Sequence, residues 1–231
     1  SCYNGSQWIN YGEANGLINN HVYKVVRRQD GTLWFATSSG ITRYNGVTWK
    51  TINPIANTYY GFNCMDLDLE GNIWAYSYNS NKLYKFDGAN WQIIILPISG
   101  SYINISSIFC DNEGNIWLGY YSYNNGIYTY GVLKHTNGSW TNYNNSNSPI
   151  STTVNDIFQD SGNRIWVATS NGVHRKSLNS WTSYTTVNGL ADNNVMDIAQ
   201  DQNGNMWFAC NNYNLGGISK RIYFAWKSNP A

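Results

Sequence analysis

Charge is scarce in this sequence. Only 12% of its 231 residues are Asp, Glu, Lys or Arg, and 14 basic residues against 13 acidic ones leave a formal net charge of +1. Binding a polyanion needs a basic face that displaces counterions, so no nucleic acid or anionic membrane is expected as a partner. No run approaches the roughly 18 consecutive apolar residues of a membrane helix, so no transmembrane segment is expected, and no basic-then-apolar leader opens the chain. The four cysteines lack C-x-x-C spacing, which argues against a zinc site. Cys64, Cys110 and Cys210 fall in strand-like runs and read as buried thiols, whereas Cys2 also fits the acylated cysteine of a processed lipoprotein. The three histidines, His21, His135 and His174, are isolated. With no Ser-His-Asp set and no phosphate loop, neither an enzyme nor a cofactor or metal is expected. A helical period is missing as well.

What the chain does have is a repeat. A short apolar strand enters a turn and re-emerges on tryptophan five times: DGTLW at Trp34, EGNIW at Trp74 and Trp117, GNRIW at Trp166 and GNMW at Trp207. The intervals of 40, 43, 49 and 41 residues are those of a four-stranded propeller blade. Each unit offers four strand slots. The first carries an apolar pair, Val22/Val25, Phe62/Met65, Ile105/Ile108, Val154/Ile157 and Val195/Ile198. A turn follows on Gly31, Gly71, Gly114, Gly162 or Gly204, preceded in four units by Asp68, Asp111, Asp160 or Asp201, whose side chains suit bonding the turn's own amides. The second strand (LWFAT, IWAYS, IWLGY, IWVAT, MWFAC) is apolar on both faces and so central, and its indole belongs to the core.

The third strand begins at Gly40, Lys82, Gly126, Gly172 or Gly217, and the fourth carries a second tryptophan at Trp49, Trp91, Trp140 or Trp181. These features predict an all-β fold, a five-bladed β-propeller of four-stranded antiparallel blades at about 21–53, 62–96, 104–144, 153–186 and 194–226. The N-terminal YNGSQWINY, with Trp8, matches a fourth slot alone, and strand 5–11 is expected to close the last blade and remove two sheet edges. The spacing from Gly217 to Trp226 equals that from Gly172 to Trp181, which supplies a second, C-terminal candidate for the same place and would make the chain part of a larger ring.

The segments GLINNHVYKVVRRQDGTLWFATSSGITRYNG and GLADNNVMDIAQDQNGNMWFACNNYNLGGISK resemble the two-component regulator propeller repeat. The resemblance covers nearly the whole chain. It implies an extracytoplasmic bacterial propeller (periplasmic, secreted or lipid-anchored) of the kind placed before a membrane span and a histidine kinase, where it binds or relays an external oligosaccharide. No kinase or linker is present here, so the signalling role does not transfer, and the motif brings no catalytic residues. A fainter resemblance to streptogramin lyase repeats rests on the GNIW phrase, without that enzyme's histidine being identifiable among the three here.

Function is expected in what varies between repeats. Loops that leave one end of a propeller are rich in Tyr and Asn, and Tyr59, Tyr60, Tyr76, Tyr78, Tyr120, Tyr121, Tyr123, Tyr213, Asn124 and Asn212 form the expected ligand-binding face. Flat rings stack on sugar faces and neutral amides pair with hydroxyls, so a neutral glycan or similar uncharged ligand is the first reading. A protein-interaction scaffold, or a fragment of a larger sensor propeller, is the second. Lys24, Asp156 and Asp197 share the inner-strand slot ten residues before their tryptophans and are expected to line an axial channel; a hydrolase or lyase using those acids is the third.

Overall fold

The computed structural model describes residues 1–54, 61–78, 80–211 and 216–222 in full, and the backbone of 225–230. The chain forms two compact units, Ser1–Leu96 and Pro97–Ala231. Among the described residues no helix is long and apolar enough to cross a membrane.

The first unit opens with a hairpin of β1 (Cys2–Tyr3) and β2 (Trp8–Ile9). Sheet I follows with β3 (Val22–Arg27), β4 (Leu33–Thr37), β5 (Gly40–Tyr44) and β6 (Trp49–Thr51), then sheet II with β7 (Phe62–Leu67), β8 (Ile73–Ser77), β9 (Lys82–Phe86) and β10 (Trp91–Ile94). The second unit holds three sheets. Sheet III has β11 (Tyr102–Cys110), β12 (Ile116–Asn124), β13 (Ile127–Thr136) and β14 (Ser139–Asn144). Sheet IV has β15 (Val154–Gln159), β16 (Ile165–Thr169), β17 (Gly172–Ser177) and β18 (Ser180–Tyr184), and sheet V has β19 (Val195–Gln200), β20 (Met206–Cys210), β21 (Gly217–Ile222) and β22 (Ala225–Pro230). All five are antiparallel meanders in chain order, as hairpin-length connections require.

Within each unit the second-strand tryptophans Trp34, Trp117 and Trp166 reach toward the sheet that follows. Trp34 lies 5.6 Å from Phe86 in the first unit, and Trp166 lies 5.6 Å from Phe208 in the second. Trp34, Trp74, Trp117 and Trp166 are 1–3% exposed or less, as core indoles should be; Trp207, in the last sheet of its unit, is half-buried. Every first strand also carries a bulge at one slot, at Tyr23, Asn63, Ser106, Asn155 and Met196. In the second unit this extra residue ties sheets together: Ser106 Oγ donates to Val154 O at 2.6 Å and Asn155 Nδ2 to Val195 O at 2.7 Å.

Two expectations are corrected. The outer strand of sheet V is β22, which pairs with β21 in the place where strand 5–11 was expected. β2 pairs with β1, because that hairpin is itself a third-and-fourth-strand pair: Tyr3 opposes Trp8 as Tyr44 opposes Trp49, and the tyrosine hydroxyls donate to Gly5 O and Gly46 O at 2.8 and 2.7 Å. The left-handed turn residue of sheet IV is Asn163 (φ 62°), not Gly162, since the loop aligns with Gly114 (φ 81°) of sheet III through its Asp-to-Trp spacing.

Candidate functional site

Most polar side chains of the repeat are consumed by the fold. Asp111 accepts the amides of Glu113 and Asn115 on Oδ1, at 3.0 and 2.8 Å, and the Trp117 indole N–H on Oδ2 at 2.8 Å. Asp68, Asp160 and Asp201 clasp Trp74, Trp166 and Trp207 the same way, at 3.0, 2.6 and 2.9 Å. Burial would raise the Asp68 carboxyl, but the Trp74 and Asn72 donors hold it below the usual range; hydrogen bonds from Asn205 and Trp207 pull Asp201 down to about 2. A cation stands opposite each indole on the third strand: Arg43, Lys85, Lys134, Arg175 and Lys220 face Trp34, Trp74, Trp117, Trp166 and Trp207. Four of these lie over the ring, 4.7–5.6 Å from its centroid.

What the repeat leaves over is concentrated in sheet III. Its first three strands run 9, 9 and 10 residues, against 5 for β4, β8, β16 and β20. The β12–β13 hairpin closes on Asn125-Gly126, both with positive φ (48° and 85°), the two-residue turn whose twist matches a hairpin. Opposed residues share a face, so the pairs Tyr121↔Tyr130, Tyr123↔Tyr128, Tyr102↔Tyr123 and Asn104↔Tyr121 place five tyrosines and one amide on one side of the sheet. Their rings touch: Tyr123–Tyr128 4.8 Å, Tyr102–Tyr121 5.9 Å, Tyr121–Tyr130 6.2 Å and Tyr128–Tyr130 6.2 Å. Tyr128 is 56% and Tyr102 38% exposed, while Tyr121, Tyr123 and Tyr130 are half-buried by their neighbours. Partial burial and the hydrogen bond to Tyr102 push the Tyr121 hydroxyl up, so it remains a neutral donor. Residues 114–133 contain no charge. The result is a neutral aromatic plate.

Of the residues expected on a ligand face, Tyr121 and Tyr123 belong to this plate. Asn124 is exposed at its tip, on the opposite side of β12 from the plate. Tyr76 and Tyr120 do not belong to any ligand face: they are 0% and 1% exposed, with hydroxyls facing Asn81 Oδ1 at 3.4 Å and Asn142 Oδ1 at 3.0 Å, because β8 and the first five residues of β12 are buried on both faces. Tyr78 lies in the first unit against Tyr23, edge-on at 6.3 Å. Tyr59, Tyr60, Tyr213 and Asn212 lie outside the described residues. Lys24, Asp156 and Asp197 do fall one residue after the bulge of their strands, but their surroundings differ. Asp156 Oδ2 accepts the Ile198 amide at 3.1 Å and so joins sheets IV and V; Asp197 and Lys24 are exposed, on different units. Tyr102, in or beside the same loops by sequence, joins the plate, and Tyr128 and Tyr130, which were not expected there, complete it. The signal was the 49-residue interval from Trp117 to Trp166, the longest in the chain, which reflects longer strands and not a longer loop.

Four segments, residues 16–39, 98–122, 148–171 and 189–212, match the model of the "Two component regulator propeller" family. Among solved structures, the extracellular domain assigned to a hybrid two component system of B. thetaiotaomicron superposes with a TM-score of 0.74 at 24% identity; the match covers 92% of this chain and 29% of that one. Virginiamycin B lyase from Staphylococcus aureus, in an inactive form with quinupristin, gives 0.71 at 18% identity, over 93% of this chain and 72% of its own. A chain of the nidogen/laminin complex gives 0.58 at 12% identity, covering 86% and 74%. At identities this low the likeness is one of fold, and the fold is a β-propeller. No curated protein matches the sequence.

Proposed function

We propose that this chain, which carries the repeats of the two-component regulator propeller family and so belongs to it, is a non-catalytic, extracytoplasmic recognition module that takes a neutral oligosaccharide on the tyrosine plate of sheet III. The observation that carries the reading is the five contiguous rings and Asn104 on one uncharged face. One stacked ring contributes about 1 kcal/mol, and millimolar affinity needs roughly 4 kcal/mol. A single tyrosine cannot bind a sugar usefully, but a plate that engages consecutive residues of an oligosaccharide can. A non-catalytic role is supported by the use of Asp68, Asp111, Asp160 and Asp201 in indole clasps and of Asp156 in an inter-sheet bond.

Titration of neutral oligosaccharides of increasing length by calorimetry tests this. Affinity should rise with length until the plate is covered and fall on Tyr128→Ser; no heat with any neutral oligosaccharide removes the proposal. A protein ligand is the second reading, favoured by Ile127, 69% exposed beside Tyr128 at the hairpin tip, since exposed aromatic and aliphatic groups together suit a protein surface better than a sugar.

A further inference from the structure

The clasp aspartate has one exception. Sheets II to V carry Asp68, Asp111, Asp160 and Asp201, but the same turn position in sheet I is Arg28. Sheet I repairs the loss locally: the Trp34 indole donates to Thr32 Oγ1 at 3.1 Å, and Thr32 Oγ1 donates to Asp30 at 2.6 Å. The cation opposite the indole is not repaired. Lys85 and Lys220 stand 3.2 and 3.9 Å from their clasp carboxylates, whereas the side chain at that place near Arg43 is another guanidinium. Arg43 Nε is buried and makes no hydrogen bond.

A cavity of about 500 Å³ lies here between sheets I and II, within the first unit. Arg28, Arg43 and Lys50 line it, and no carboxylate does; Trp34, Phe86 and Trp91 supply aromatic wall. The indole Nε1 of Trp91 is a second buried donor without an acceptor. Asp30 feels the charges of Arg28 and Arg43, but it is exposed and its Oδ1 already accepts from the Thr32 amide and hydroxyl. The equivalent cavity between sheets III and IV, about 480 Å³, contains Lys134, Arg164 and Lys176 together with Asp111 and Glu113, so it carries carboxylates of its own.

Buried donors left unpaired cost free energy that an incoming acceptor recovers, and a guanidinium fork matches a carboxylate in particular. We infer that the cleft between sheets I and II binds an organic carboxylate with an aromatic or apolar body, the carboxylate meeting Arg43, Arg28 and the Trp91 indole N–H, the body lying against Phe86 and Trp34. The cavity volume is that of a small-molecule site, and the site is independent of the tyrosine plate.

Benzoate, benzamide and inorganic sulfate are the probes. Benzoate at concentrations up to about 10 mM should bind by calorimetry and move the Trp91 indole N–H resonance, with benzamide at least about tenfold weaker. Arg28→Asp, which installs the residue four other sheets use, should keep the fold and lose benzoate binding. Equal binding of benzoate and benzamide, an unmoved Trp91 resonance in the unaltered protein, or benzoate affinity retained in Arg28→Asp would overturn the proposal. Sulfate binding as tight as benzoate would also overturn it, because the aromatic wall would then contribute nothing.

Discussion

The cleft between sheets I and II and the cleft between sheets III and IV occupy the same place in the repeat and differ in how charge is met. Arg28 stands where Asp111 stands, Arg43 where Lys134 stands, and Phe86 where Lys176 stands. Both clefts have the indole and the opposed cation, so both are built; only one carries its own anion. The difference teaches that the clasp has two separable duties. Satisfying the indole N–H is a fold requirement, which Thr32 meets as well as an aspartate does. Neutralising the opposed cation is not one, and a repeat can leave it open.

The comparison is broken most severely at its shared part. Trp117 is 2% exposed and packs against sheet IV, so Trp117→Ala should destabilise the second unit by roughly 3–5 kcal/mol, read as a shift in urea midpoint. A value near zero would mean that the indole is not the element both clefts are built on.

The third-strand slot sharpens the comparison through pH. Thr42, Ser219 and His174 occupy it in sheets I, V and IV, and only His174 titrates. It is 5% exposed, with Nδ1 2.9 Å from Ser183 Oγ, and burial pulls its pKa down from 6.5 to about 4. A depressed histidine pKa means that the unfolded state takes up the proton first. The stability is therefore complete above about pH 6.5 and is lost as pH falls toward 4, by up to roughly 3 kcal/mol. His174→Gln should flatten the stability curve across that window, measured as the difference from the parent protein so that carboxylate titration cancels.

Next comes the exchange itself. Asp111→Ala strands the Trp117 indole and two turn amides, at a cost of roughly 2–3 kcal/mol, while Arg28→Asp should change stability by less than about 1 kcal/mol. If the two substitutions cost the same, Arg28 is a structural tie to sheet II, where its guanidinium lies beside Gly71, and the two clefts are alike after all.

The repeat was legible because it is written in residues whose roles are local. A tryptophan six residues after an aspartate, with a glycine or asparagine between, states both the turn and the indole clasp. The exposed or buried fate of Tyr120 and Tyr121 was less legible, since neighbours on a strand face opposite sides and the distinction depends on register. The outer strand of sheet V was ambiguous in the sequence for a related reason. Trp8 and Trp226 carry the same fourth-slot signature, and which of them joins sheet V depends on pairing partners that spacing alone does not rank. The cation row opposite the indoles was present in GITRY, KLYKF, GVHRK and GISKR, but in sheet III it is displaced by the longer hairpin to Lys134, which hides the period.

The smallest effect on stability belongs to the tyrosine plate, and that smallness is informative. Tyr128 is 56% exposed, and its ring meets Tyr123 across the strands, a pair worth a few tenths of a kcal/mol, and Tyr130 along its own strand. Tyr128→Ser should therefore leave the fold within about 0.5 kcal/mol while weakening a bound neutral oligosaccharide about five- to tenfold. A substitution that harms stability more than binding would assign the ring to the hairpin's own integrity. One that harms binding alone would show that sheet III uses its extra length for an uncharged partner, as the cationic cleft of sheet I is suited to a charged one.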